Sequence, residues 1–184
     1  EYSPIVELIK SKINKEDVKF IVDAGANVGF TSLYFSTLFN NSRIVAIEPD
    51  LSNYQQLTQN VILNGMREKI LILNNALWIN NTDKLSISSE FRDGENWAKS
   101  VKLSIDNDNV LPLTLSDVVN KQDFPNVIDI LKIDIEGAEF ELFNSVEFLN
   151  ILSCNVRFLC IEIHEEFNSR QWYYGILNKL GFIS

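Results

Sequence analysis

Basic residues are scarce in this sequence: 16 Lys and Arg stand against 25 Asp and Glu, a formal net charge of −9. An acidic surface repels phosphate backbones, and no basic cluster with interleaved aromatics offsets it, so a nucleic-acid partner is not expected. Cysteine occurs twice. Cys160 lies in the apolar run of residues 158–161 and reads as a small buried thiol. Neither a disulfide framework nor a zinc site is indicated. Histidine occurs once, at His164. No apolar run approaches the ~20 residues needed to cross a bilayer, and no signal peptide is visible. A membrane span is therefore not expected, and cytoplasm is the expected compartment. The first residue is Glu1 rather than Met, so the sequence is expected to be a trimmed or processed piece. Internal repeats and low-complexity linkers are missing too, which leaves one domain over residues 1–184 as the expected organisation.

What is present is an alternation of strand-like and helix-like segments, the pattern of βαβ units and a mostly parallel sheet. A helix is expected over residues 5–13, with Ser3 as N-cap and Pro4 at the first position. Strands are expected over 19–23, 43–48 and 70–73, with helices over 28–39 and 53–63 between them. Between residues 74 and 126 the pattern loosens. Segments 84–88, 101–105 and 111–115 read as short antiparallel strands or a lid-like excursion, followed by a brief helix over 116–120. Regular structure returns with a strand over 127–134, a helix over 138–149, a strand over 157–163 and a helix over 171–180 stopped by Gly181. Phe182 and Ile183 would begin a sixth strand.

Two consecutive strands end at a carboxylate. Asp23 precedes the turn Gly25-Ala26-Asn27-Val28-Gly29, and Glu48 follows Gly25 by 23 residues. In open α/β sheets ligands bind beyond the carboxyl ends of the strands. A dinucleotide site needs Gly-x-Gly-x-x-Gly so that a pyrophosphate can touch bare backbone. Here Asn27 replaces the middle glycine, and Asp23 would repel phosphate while suiting the ammonium and sulfonium charges of S-adenosylmethionine. Glu48 can accept hydrogen bonds from ribose hydroxyls. Asn74 and Asn75 could hold an adenine edge, with Ala76 and Leu77 flanking the ring. Solvated strand-end charge and a simple Asn-Asn turn are the alternatives.

The segment Lys132-Ile133-Asp134-Ile135-Glu136-Gly137-Ala138-Glu139 puts three like-parity polar residues, Lys132, Asp134 and Glu136, on a strand that otherwise reads as buried. Buried charges are paired or functional, so a Lys132–Asp134 or Lys132–Glu136 ion pair competes with a catalytic role. Glu162 and His164 end the next strand, and near neutral pH His164 could take a proton from an acceptor hydroxyl. Asp134, Glu136, Glu162 and His164 could also hold a divalent metal, although such clusters suit hydroxyl or cation binding equally well. Trp78, Phe91, Trp97 and Trp172 could stack on a sugar ring or pack; the core is the expected place of Trp172.

Together these motifs, with Ala46-Ile47-Glu48-Pro49, Asn75-Ala76-Leu77 and Glu162-Ile163-His164, resemble the FkbM family of class I methyltransferases. The resemblance implies a Rossmann-like doubly wound sheet of about seven strands with helices on both faces. It also implies S-adenosylmethionine as donor and O-methylation of a hydroxyl on a sugar or natural product. By position, Asp23, Gly25, Asn27, Gly29, Glu48 and Ala76 would surround the cofactor and Asp134 would lie beside its methionine end. The last strand or strands of the family are not found in this sequence. Asp134 or His164 is the expected base, with Glu136 and Glu162 orienting a small-molecule acceptor. Two rivals stand beside this reading: an NAD-dependent oxidoreductase or epimerase, and a non-catalytic module that keeps the cofactor pocket.

Overall fold

The computed structural model of the protein describes residues 3–88, 100–104 and 110–182. Helix α1 (Ser3–Lys12) leads into β1 (Phe20–Ala24), α2 (Phe30–Leu38), β2 (Arg43–Ile47), α3 (Leu51–Leu63) and β3 (Ile70–Leu73). Short strands follow: β4 (Ala76–Leu77), β5 (Leu85–Ser88), β6 (Ser100–Leu103) and β7 (Pro112–Leu113). The chain continues through α4 (Leu115–Val119), β8 (Ile128–Ile133), α5 (Glu139–Asn144), α6 (Val146–Asn155), β9 (Val156–Ile161) and α7 (Arg170–Lys179).

Five parallel strands form one sheet in the order β3-β2-β1-β8-β9. β1 and β8 lie at its centre and are buried at every position, which is why they read as nearly unbroken apolar runs. On one face, Val6 and Ile9 of α1, Phe35 of α2, and Leu57 and Val61 of α3 pack against Ile21, Ile44 and Ile130. On the other, Leu115 and Val118 of α4, Leu142 and Phe143 of α5, Leu152 of α6 and Tyr173 of α7 pack against Val22, Val45 and Leu131. This is the doubly wound arrangement, with five strands in the main sheet rather than about seven. Phe182 belongs to no strand, and Ile183 lies outside the described residues.

Three more expectations need correction. The segment around residues 111–115 is not antiparallel: β7 pairs in parallel with β4, because Ala76 and Trp78 donate to the carbonyls of Leu111 and Leu113 (both 2.9 Å). The antiparallel hairpin is β5 with β6. The helix expected over residues 138–149 is two helices. Ser145 turns to ψ 119 and its hydroxyl accepts the N–H of Phe148, so the chain recaps and changes direction there. Helix α3 starts earlier than residue 53, with Asp50 as N-cap accepting the N–H of Asn53 at 3.0 Å. Among the described residues no helix is long and apolar enough to cross a membrane.

The chain lays β1, β2 and β3 outward in one direction, then returns to place β8 and β9 on the other side of β1. A crevice must open beyond the carboxyl ends of β1 and β8.

Candidate functional site

Gly25 closes that crevice. Its φ is +75, and a Cβ built there would lie 1.7 Å from the carbonyl oxygen of Asp134. Only glycine allows both the conformation and this approach of the two strand ends. The Gly25 and Ala26 N–H groups both donate to the Ile47 carbonyl at 3.0 Å, and Asp134 donates to Ala24 at 3.1 Å. The ends of β1, β2 and β8 are thus laced together. Asn27 follows with φ 50, a left-handed conformation that asparagine tolerates better than most residues. It therefore does a glycine's backbone work, and Asn27 is a weaker argument against a dinucleotide than its identity suggested.

Glu48 is buried, and each of its oxygens accepts one backbone N–H: Oε2 from Asn27 at 2.8 Å and Oε1 from Asp50 at 2.9 Å. Burial pushes its pKa up, against those hydrogen bonds. Asn74 locks the same corner by donating to the carbonyls of Glu48 (2.9 Å) and Pro49 (3.0 Å). Between this corner and the end of β8 lies a cavity of about 660 Å³, lined by Gly25, Asn27, Glu48, Ala76, Asp134 and Glu136 among others. Ile87 of β5 and Val101 of β6 form part of its wall. Four carboxylates line it (Glu48, Asp50, Asp134 and Glu136), and no Lys or Arg does so among the described residues.

Three expected cofactor residues do not reach this cavity. Asp23 is fully buried behind the loop, where Ser32 donates to it at 2.6 Å and the Lys132 ammonium lies 3.3 Å away. Lys132 also donates to the Gly25 carbonyl at 2.7 Å and pairs with Asp134 at 3.4 Å. The Asp23 charge is therefore met from within and does not line the cavity. Gly29 (φ +91) faces Leu57, whose Cδ1 would be 2.2 Å from an added Cβ. Asn75 spends its amide on the Leu111 carbonyl at 3.2 Å. Asp50, Asn53, Ile87 and Val101 were missed as lining residues. The Asp50 cap was a legible signal, whereas the hairpin residues carry none.

His164 departs furthest from expectation. It is buried, with Nδ1 3.2 Å from Glu139 Oε1 and Nε2 3.2 Å from Glu136 Oε2. Burial alone would lower its pKa, but the two glutamates outweigh it and hold the imidazole up at about 10. A ring whose proton is held by two carboxylates is poorly suited to act as a base at neutral pH. Asp134 remains at the cavity wall, its pKa raised by burial and pulled back by Lys132. Glu162 is exposed and lines a second, more open cleft of about 1430 Å³ that shares Asp134 with the first and includes Tyr174.

Asp134, Glu162 and His164 offer ligand atoms within 4.8 Å of one another, near enough for a divalent ion to bridge. The imidazolium lodged between two glutamates and the ammonium 3.4 Å from Asp134 already supply positive charge, so a metal is not required. Trp78 is buried and donates from Nε1 to Asp83 at 2.8 Å, and Trp172 packs edge-on against Tyr173. Phe91 and Trp97 lie outside the described residues.

The profile of the methyltransferase FkbM domain family matches residues 23–183. The methyltransferase sdnD of Sordaria araneosa is 28% identical, over 70% of this chain and 60% of that protein. The fold is similar to the crystal structure of methyltransferase FkbM from Methylobacillus flagellatus KT, with a TM-score of 0.57 at 17% identity, covering 89% of this chain and 37% of that one. It is also similar to the N-terminal domain of human METTL16 in complex with SAH, with a TM-score of 0.57 at 14% identity over 98% of this chain and 59% of that one. The chain spans about three fifths of the length of the relatives it matches by sequence.

Proposed function

Since the chain belongs to the methyltransferase FkbM domain family, we propose that it transfers the methyl group of S-adenosylmethionine to a hydroxyl of a sugar or other small natural product. The observation that carries this is the charge of the main cavity, with four carboxylates and no basic side chain among the described residues. A pyrophosphate would meet repulsion there from Glu48 and Asp50, with no basic side chain among the lining residues to hold it, whereas a donor with sulfonium and ammonium charges is attracted. This disfavours the oxidoreductase rival.

Glu48 would accept the ribose hydroxyls on the lone pairs its two backbone donors leave free. Ala76 and Leu77 would face the adenine from one side and the β5–β6 hairpin from the other. Asp134 and Glu136 would stand at the positive, methionine end. Bound there, the cofactor supplies a methyl carbon already activated by sulfonium, so the protein needs no nucleophile of its own. Its tasks are to position the acceptor oxygen and to take its proton. Asp134 borders both the main cavity and the open cleft. It is the group suited to receive that proton, and Glu162 can orient an acceptor entering from the cleft.

Calorimetry with S-adenosylmethionine, its demethylated product and NAD tests the cofactor assignment. The first two should bind and NAD should not; the reverse pattern overturns the proposal. In methyl transfer to a panel of hydroxylated acceptors, Asp134→Asn should lose roughly 10²–10⁴-fold in turnover. Unchanged turnover in that variant would remove Asp134 as the base.

A further inference from the structure

The turn after β8 carries two of the cavity's carboxylates, and its shape is unusual. Glu136 adopts φ 53, a left-handed conformation uncommon for a residue with a side chain. Such a residue persists only where its surroundings over-determine it. Here Glu139, fully buried, reaches back so that Oε1 accepts the N–H of Ile135 and Oε2 that of Gly137, both at 2.8 Å. This pins the backbone on either side of Glu136. The side chain of Glu136 is met by the imidazole of His164, which is itself held through its other nitrogen by Glu139, each contact at 3.2 Å. His164 comes from the end of β9, kept alongside by the Glu162 N–H donating to the Ile133 carbonyl at 2.9 Å.

We propose that His164 is a positioning residue for methyl transfer: lodged between Glu136 and Glu139, it ties the end of β9 to the turn after β8 and fixes the Glu136 carboxylate at the cavity wall. Its effect on turnover rests on the function proposed above; its effect on the turn does not. The charge around the ring supports a clamp that keeps its proton. Glu136 and Glu139 contact it from the turn and from α5, and Asp134 and Glu162 lie nearby at the ends of β8 and β9. On α7 the Tyr173 hydroxyl feels Glu139, Lys132 is engaged by Asp23 and Asp134, Lys102 of β6 lines a cleft with Glu136, and Arg170 of α7 lines the open cleft with Glu162. A neutral imidazole would leave one glutamate facing a bare ring nitrogen, so the doubly protonated ring is the form that serves both partners.

Because this is the only histidine in the chain, its ring can be observed without assignment. In protein labelled with ¹⁵N-histidine, the ring nitrogens should give one imidazolium signature that does not titrate between about pH 6 and 8.5. Glu136→Gln and Glu139→Gln should each bring the titration into that window. Titration of the wild-type ring near its ordinary value would overturn the clamp. With S-adenosylmethionine saturating, His164→Gln should still lose about 100-fold in turnover, the scale expected when a group at the site is displaced. Its pH–rate profile should keep the wild-type limbs, since the lost ring was not the titrating base. Loss of a limb, or unchanged turnover, would count against the positioning role. Wild-type protein that binds no S-adenosylmethionine would sink the methyl-transfer function and the catalytic consequence with it, while the ring's titration still judges the clamp.

Discussion

Two carboxylates at neighbouring strand ends have opposite assignments, and the difference is where their charge goes. Glu48 is held by two backbone N–H groups and turned to the cavity; Asp23 is held by Ser32 and Lys132 and turned away from it. In Glu48→Gln the amide end must face one of those backbone donors, and the ribose loses a charged acceptor. Affinity for S-adenosylmethionine should fall roughly 10- to 100-fold, the worth of one or two hydrogen bonds to a charged group. Calorimetry giving an unchanged affinity would contradict this placement. Asp23→Asn instead leaves a buried ammonium short of one partner. Its cost should appear as stability, about 3 kcal/mol in urea unfolding, with cofactor affinity preserved in the protein that remains folded. Sequence spacing located both acids at strand ends, and it offered Asp134 as one of two ion-pair partners for Lys132, the one the structure shows. It could not reveal that Lys132 also reaches Asp23, because that contact joins two strands more than a hundred residues apart. Nor could a lone histidine announce two glutamates, one of them buried four residues from the turn it braces.

Elements were legible in proportion to how far their own residues determine them. The central strands β1, β2 and β8 are apolar on both faces and announce themselves. Strands of two residues, such as β4 and β7, exist only because other parts of the fold bring them side by side, so no local pattern told their direction. The break at Ser145 was written in a capping residue inside an amphipathic run, a signal outweighed by the apolar spacing on both sides of it. The glycine loop is the element where sequence and ligand meet, and its two glycines do different work. Gly25→Ala drives a Cβ into the Asp134 carbonyl, backbone against backbone. The strand ends must part, and both stability and cofactor binding should be lost. Gly29→Ala meets only the tip of Leu57, a side chain that can swing aside. It should cost about 1–3 kcal/mol for its left-handed backbone and leave affinity within a few-fold of wild type, since Gly29 does not line the cavity. Equal loss of affinity in the two variants, measured by calorimetry on folded protein, would overturn this division.

At the scale of the whole molecule, burying acids at one edge of a sheet sets how stability responds to pH. His164 has a folded pKa of about 10 against an unfolded value of 6.5. The stability it contributes is therefore complete below pH 6.5 and is lost as pH rises toward 10, by at most about 1.4 kcal/mol per pH unit for one proton. Glu48 and Asp134 have pKa values raised by burial, so the folded state holds their protons more tightly than the unfolded chain does. Both then favour mildly acidic over neutral conditions. The net charge of −9 acts in the same direction, because protonation relieves repulsion. Opposing them is Asp117, whose pKa is lowered in the cap of α4 despite the cost of burial, by its hydrogen bonds to Thr114 and Asn81; its contribution is lost as pH falls below its unfolded value of 3.8. Stability should therefore peak in mild acid and decline steadily from about pH 6.5 to 10. Urea midpoints across that range should fall in the wild type, and His164→Gln should start lower and stay nearly level until Tyr173, with a pKa raised to about 12, begins to titrate. A wild-type midpoint that holds flat from neutral pH to pH 9.5 would mean that the ring between the two glutamates carries no proton to lose.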